Sequence, residues 1–242
     1  MKSITKPLVL AGATVLGTAV ILGGVANAQT PSSSTSSTTD QQHIQNIISK
    51  GDQEITRRQT TLNTLTDKIN AATKLTSSDK TTLSNEVSTT ISGLTTLKSQ
   101  LDAATTLSNA KTDAQDIYTE YRVYAVVAPK VNLVKEADDQ QTTEAKLTTL
   151  AQKLQSRITA DQQAGKDVTT LQSELSDMTS KTNAAQSISS NVETTVITVE
   201  PTDYNSNHAV LSGDAAQLKT AHADNQAADT DAKNIVSGLK NL

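Results

Sequence analysis

The chain of 242 residues has no cysteine, tryptophan or phenylalanine, and only four tyrosines, three histidines and four prolines. Without cysteine there is no disulfide scaffold, no thiol nucleophile and no thiolate zinc site. His43, His208 and His222 are scattered. Even if His208 and His222 shared one helix they would stand about 21 Å apart, too far to hold one metal. No G-x-S-x-G, H-E-x-x-H, glycine-rich phosphate loop or calcium-loop pattern occurs. Acid groups such as Asp113, Asp116 and Glu120, or Glu136, Asp138 and Asp139, read as solvated helix surface. The expectation is a non-enzyme with no cofactor and no metal. Basic clusters are also missing: 21 Lys and Arg stand against 25 Asp and Glu, a net charge of −4, which disfavours a nucleic-acid partner. Apolar residues make up 35%. Even with glycine added, that falls short of the roughly 45–50% of an ordinary globular domain, so no large core is expected.

What is present begins with an export pattern. Lys2 and Lys6 precede an uncharged apolar stretch, Leu8 to Val25, and Ala26-Asn27-Ala28 has the small-x-small form of a cleavage site. The expectation is a signal peptide over 1–28 cut after Ala28, with an uncleaved anchor as the alternative. Its removal takes away Lys2 and Lys6 and moves the net charge from −4 to −6. Residues 29–39 are almost entirely Ser, Thr, Gln and Pro and read as a disordered linker.

From residue 40 onward the apolar positions recur every three or four residues. Ile44, Ile48, Gly51, Ile55, Arg58, Leu62, Leu65, Ile69 and Ala72 follow steps of four and three without interruption, a heptad seam weakened at Gly51 and Arg58. Thr76 to Asp79 carries a capping pattern, and a second seam follows at Leu83, Val87, Thr90 or Ile91, Leu94, Leu97, Leu101 and Ala104. A short polar connection between two such seams predicts an antiparallel hairpin. Further helices are expected over 108–163, kinked near Pro129, then over 167–199 and 208–240. The stripe of the fourth is Val168, Leu171, Leu175, Met178, Thr182, Ala185, Ile188, Val192 and Val196. That of the fifth is Leu211, Ala215, Leu218, Ala221, Ala228, Ala232, Ile235 and Leu239. The predicted fold is all-α: an elongated antiparallel bundle or set of coiled-coil hairpins of about five helices over 40–242. Ser and Thr exceed a quarter of the residues and lower helix propensity, so tertiary seams must hold the bundle.

One stretch differs from its surroundings. Ile117 to Val134 holds three of the four tyrosines and a dense aliphatic run, with apolar residues on more than one helical face. Tyr118, Tyr121, Arg122, Tyr124, Val127, Pro129 and Lys130 therefore stand as the candidate interaction patch, with Arg122 expected in a structural ion pair. The competing reading is a crowded joint between helices. Tyr121-Arg122-Val123-Tyr124, Pro129-Lys130, Glu136-Ala137-Asp138 and the C-terminal Pro201-Thr202-Asp203-Tyr204-Asn205 resemble segments of uncharacterised exported all-helical proteins of small-genome bacteria. The resemblance implies export and an all-α fold and carries no activity. The functional expectation is an exported, non-catalytic interaction or scaffold module in the envelope or outside the cell. Its partner would be an envelope or extracellular protein, or a second copy of itself. The alternative is a secreted membrane-active protein that uses Val123–Val134. That run is too short to span a bilayer of ~30 Å as one helix.

Overall fold

In the computed structural model, residues 38–242 are described; the signal-peptide expectation and most of the linker fall outside them. Thr38 and Thr39, assigned above to the linker, already belong to the first helix. The helices are α1 (Thr38–Ala71), α2 (Ser77–Asp102), α3 (Leu107–Thr119), α4 (Ala128–Gln163), α5 (Thr169–Val196), the single turn α6 (Asp203–Ser206) and α7 (Asp214–Lys240), with a π-helical turn at Val123–Val127. There is no strand among the described residues.

The two seams of the N-terminal half zip α1 against α2. Ile55, Leu62, Leu83, Leu94 and Leu101 are fully buried, and Thr90 rather than Ile91 takes the ambiguous seam position. The weak layers are filled from the partner side. Gly51 lets the Leu101 side chain lie directly on the α1 backbone, where a Cβ would overlap Leu101 Cδ2. Thr76 ends the turn between the helices: its hydroxyl accepts from Asp79 N at 3.1 Å and donates to Asp79 Oδ2 at 2.6 Å, capping α2. Lys80 Nζ reaches back to the C-terminal carbonyls of α1 at Asn70 and Ala72.

The expected third helix is two helices. Pro129 has no N–H, and in a continuous α-helix its ring would crowd the carbonyl of Ala125. The chain accommodates this by stopping α3 at Thr119, placing Arg122 in the left-handed region (φ 38°, ψ 38°), winding a π turn and starting α4 with Pro129 in its first turn. The break therefore precedes the proline by several residues, because a first-turn proline needs no donor. Two other boundaries also shift. Helix α5 stops at Val196, five residues short of Pro201. Helix α7 begins at Asp214 rather than 208, because residues 207–212 form successive turns and Gly213 is left-handed (φ 95°). Leu211 thus lies in a turn, Ala215 is exposed, and buried Asp214 starts the inward face.

Helix α4, 36 residues and about 54 Å long, serves two cores in succession. Its residues Val131, Val134 and Ala137 join the α1–α2 hairpin, Val192 and Val196 of α5, and Leu218 of α7. Beyond them Leu147, Leu154 and Ile158 join Leu171, Leu175 and Met178 of α5 and Ala228, Ala232 and Ile235 of α7 in a second core. Helix α5 runs antiparallel to both α4 and α7. The small residues of α7 bring the axes close, and Leu171 sits over Gly238 where a Cβ would overlap it.

Between the two cores lies a buried polar layer that the apolar stripe did not announce. Glu144 and Ser189 are 1% and 0% exposed, with Gln140 and Asn225 each at 5%. Ser189 Oγ donates to Glu144 Oε2 at 2.8 Å. Asn225 Nδ2 donates to Gln140 Oε1 at 3.1 Å and Glu144 Oε1 at 3.3 Å, and Gln140 Nε2 donates to the Leu218 carbonyl at 2.8 Å. Ser189, not Ile188, holds the inward position.

Candidate functional site

The break between α3 and α4 gathers all three tyrosines of the 117–134 stretch, each in a different setting. Tyr118 and Tyr124 are 47% and 49% exposed. They flank the buried Arg58 guanidinium, whose carbon lies 4.6 Å and 5.1 Å from their ring centroids. Such stacking holds amphipathic rings in fixed positions at the surface. Arg58 is anchored in turn by Glu54 one helical turn earlier, Nη1 to Oε2 at 2.7 Å. The hydrogen bond from Arg58 holds the Glu54 carboxyl below its usual range. Tyr121 lies on the other side: its ring covers Gly93 of α2, where a Cβ would meet Cε1 at 2.5 Å. Burial pushes the Tyr121 hydroxyl pKa up, with Glu120 and Asp116 adding to it.

Among the described residues Arg122 makes no ion pair with an acid, contrary to expectation. Its Nε donates to Asn205 Oδ1 at 2.9 Å, and its guanidinium lies 5.1 Å over the Tyr204 ring. Asn205 Nδ2 also donates to the Thr119 carbonyl at 2.9 Å, one of the orphan acceptors at the C-terminus of α3. The Thr202–Asn207 segment is thus a latch on the α3–α4 break. The left-handed Arg122 costs about 1–3 kcal/mol, which the contacts of the latch help to offset.

Two members of the expected patch do not belong to any surface. Val127 is fully buried, and Lys130 is 2% exposed because its Nζ turns inward to Glu86 Oε2 at 2.7 Å and the Ile197 carbonyl at 3.4 Å. Burial pushes the Glu86 carboxyl up despite the pull of Lys130. Val123, Val126, Val131, Leu133 and Val134 are buried as well. The apolar run is interior packing, the crowded joint weighed above, and leaves Tyr118, Tyr124 and half-buried Tyr121, Arg122 and Pro129 at its edge. Arg58 is the residue that sequence reasoning misjudged. An arginine on a heptad seam four residues after Glu54 was the available signal for it.

A groove of about 420 Å³ between α4 and α7 is lined by Glu136, Asp139, His222 and Asp229 among others. Its acids Asp139 and Asp229 are engaged by Lys135 and Lys233, each at 2.6 Å. Among the described residues no group of three or more His, Asp or Glu side chains has the geometry to hold a metal, and no helix is long and apolar enough to cross a membrane. No protein-family model matches the sequence, and no curated protein or solved structure does either.

Proposed function

We propose that the protein is an exported, non-catalytic helical scaffold that binds an envelope or extracellular protein through the Tyr118–Arg58–Tyr124 surface. The observation that carries this reading is the fixing of two half-exposed tyrosine rings by one buried arginine. Rigid aromatic side chains with little entropy left to lose are the residue types that anchor protein interfaces. The N-terminal export pattern supports the location, and the all-helical framework supports a presenting role. The apolar Val123–Val134 run, which favoured a membrane-active alternative in the sequence, is packed inside and adds nothing to that alternative.

The test is capture from the native envelope by full-length protein carrying Tyr118→Ala and Tyr124→Ala together. Capture of a specific component should fall at least tenfold while far-UV circular dichroism stays unchanged. Undiminished capture by the folded double variant contradicts the assigned surface, and collapse of helicity makes the two rings part of the packing.

A further inference from the structure

Acids from three helices converge where the α1–α2 turn meets α4 and α5. Asp79 in the first turn of α2 and Asp138 of α4 are 8% and 2% exposed, and Glu193 in the last turn of α5 is half-buried. Thr76 joins the first two. Its N–H donates to Asp138 Oδ2 at 2.8 Å while its hydroxyl donates to Asp79 Oδ2 at 2.6 Å. Asp79 and Asp138 thus share Thr76 between them, and Asp79 acts on both Asp138 and Glu193. No cation answers them: among the described residues none of the three acids takes part in an ion pair. Lys80 is turned to the end of α1 and Lys130 to Glu86.

Two buried carboxylates in hydrogen-bond contact repel when both are ionised. They attract when one carries a proton, because an O–H donor then faces an ionised acceptor. We infer that Thr76, Asp79, Asp138 and Glu193 form a proton-operated clasp: a proton held on Asp138 ties the α1–α2 turn to α4 and α5, and its loss loosens that tie.

Burial first, then the charges of Asp79 and Glu193, push the Asp138 carboxyl up to about 6, against the Thr76 N–H, which pulls it down. Burial and then Asp79 push Glu193 up as well. The folded value lies above the unfolded one, so the clasp is at full strength below the ordinary aspartate range. Its contribution is lost as pH rises from there through about 6. At neutral pH the turn is held by its remaining contacts alone.

Amide exchange of the full-length protein, measured residue by residue and corrected for intrinsic rates, tests this at pH 5 and pH 7.5. Protection of the Thr76 amide should drop at least tenfold between the two in the unaltered protein. It should stay level in Asp138→Asn, whose neutral amide accepts from Thr76 and donates to Asp79 at every pH. An equal drop in Asp138→Asn, or no drop in the unaltered protein, overturns the clasp. Should Asp138→Asn fail to fold, carbon-13 titration of the Asp138 carboxyl decides. A midpoint near 6 that falls in Glu193→Gln supports the clasp, and a midpoint near 4 refutes it.

Discussion

Glu144 is the most informative residue to change in the body of the bundle, because it carries a carboxylate between two apolar cores and no cation among the described residues pairs with it. Its donors are Ser189 Oγ and Asn225 Nδ2, both neutral. A hydrogen bond to a charged group contributes about 1.5–3 kcal/mol, while the effective penalty for withdrawing an ion from water is several kcal/mol. Burial wins here and pushes the Glu144 carboxyl up, although Ser189 and Asn225 pull it down. Glu144→Gln keeps one oxygen to accept from these donors, removes the desolvated charge and brings an amide N–H toward Asn225 Oδ1, which is buried without a partner. The expected effect at pH 8 is a gain of about 1–2 kcal/mol. The sign reverses nothing at low pH: a raised carboxyl is neutral in the folded protein there, so the advantage of glutamine shrinks toward zero near pH 4. Glu144→Ala should instead lose about 2–4 kcal/mol by opening a cavity and stripping acceptors. Its loss stays at the lower end, since Ser189 can fall back on the Gln186 carbonyl and Asn225 on Gln140. Urea unfolding reads both. With a slope of about 3 kcal/mol/M, glutamine should move the pH 8 midpoint up by about 0.3–0.7 M. If glutamine destabilises at pH 8 as much as alanine does, the ionised carboxylate is a net stabiliser and the reasoning fails.

The two close helix contacts should respond unequally to an added methyl group. Gly51→Ala drives a Cβ into the fully buried Leu101 and should lower stability by about 1–3 kcal/mol in the same urea assay. Gly93→Ala meets first the half-buried Tyr121 ring, which can swing outward; it should lose less, and an equal loss would show that the ring cannot move. Asn205→Ala removes the latch on Arg122 and the cap on the Thr119 carbonyl. Limited trypsin digestion should then cut after Arg122 at least tenfold faster than in the unaltered protein, and an unchanged rate would mean that the latch does not hold the break.

Periodicity made the helices and most of their inward faces legible, because a core-facing residue repeats every three or four positions whatever its neighbours are. Ile44 to Ala72 and Leu83 to Leu101 pack nearly as their spacing requires. Boundaries depended on finer chemistry. Pro129 was legible as a disturbance, but where the chain would absorb it depended on the contacts of Arg122 with Asn205 and Tyr204, which lie more than eighty residues away in sequence. The candidate patch was half legible for a related reason. A run with apolar residues on two faces must be covered twice, and composition alone does not say whether the cover is the chain itself or another molecule. Here Val127 and Lys130 are covered from within, and the two exposed tyrosines are fixed by Arg58, a residue some sixty positions earlier.

The polar layer was hidden for a different reason, and it bears on why this sequence selects one packing. Ser and Thr are so common on every face that Ser189 at an inward position carries no signal of its own. Yet three of the seven buried positions of α7 are alanine, and small side chains fit a neighbouring helix almost as well after a slip of one turn. Hydrogen bonds do not share that tolerance. Gln140 to the Leu218 carbonyl, Asn225 to Gln140 and Glu144, and Ser189 to Glu144 close together only when α4, α5 and α7 stand in one register. A slip would leave each of those buried groups without its partner, at about 1–3 kcal/mol apiece. The layer thus contributes little to net stability and much to the energy gap between the native register and its neighbours. That division of labour allows a polar, alanine-rich chain to fold to a single bundle and to hold Tyr118 and Tyr124 in one place.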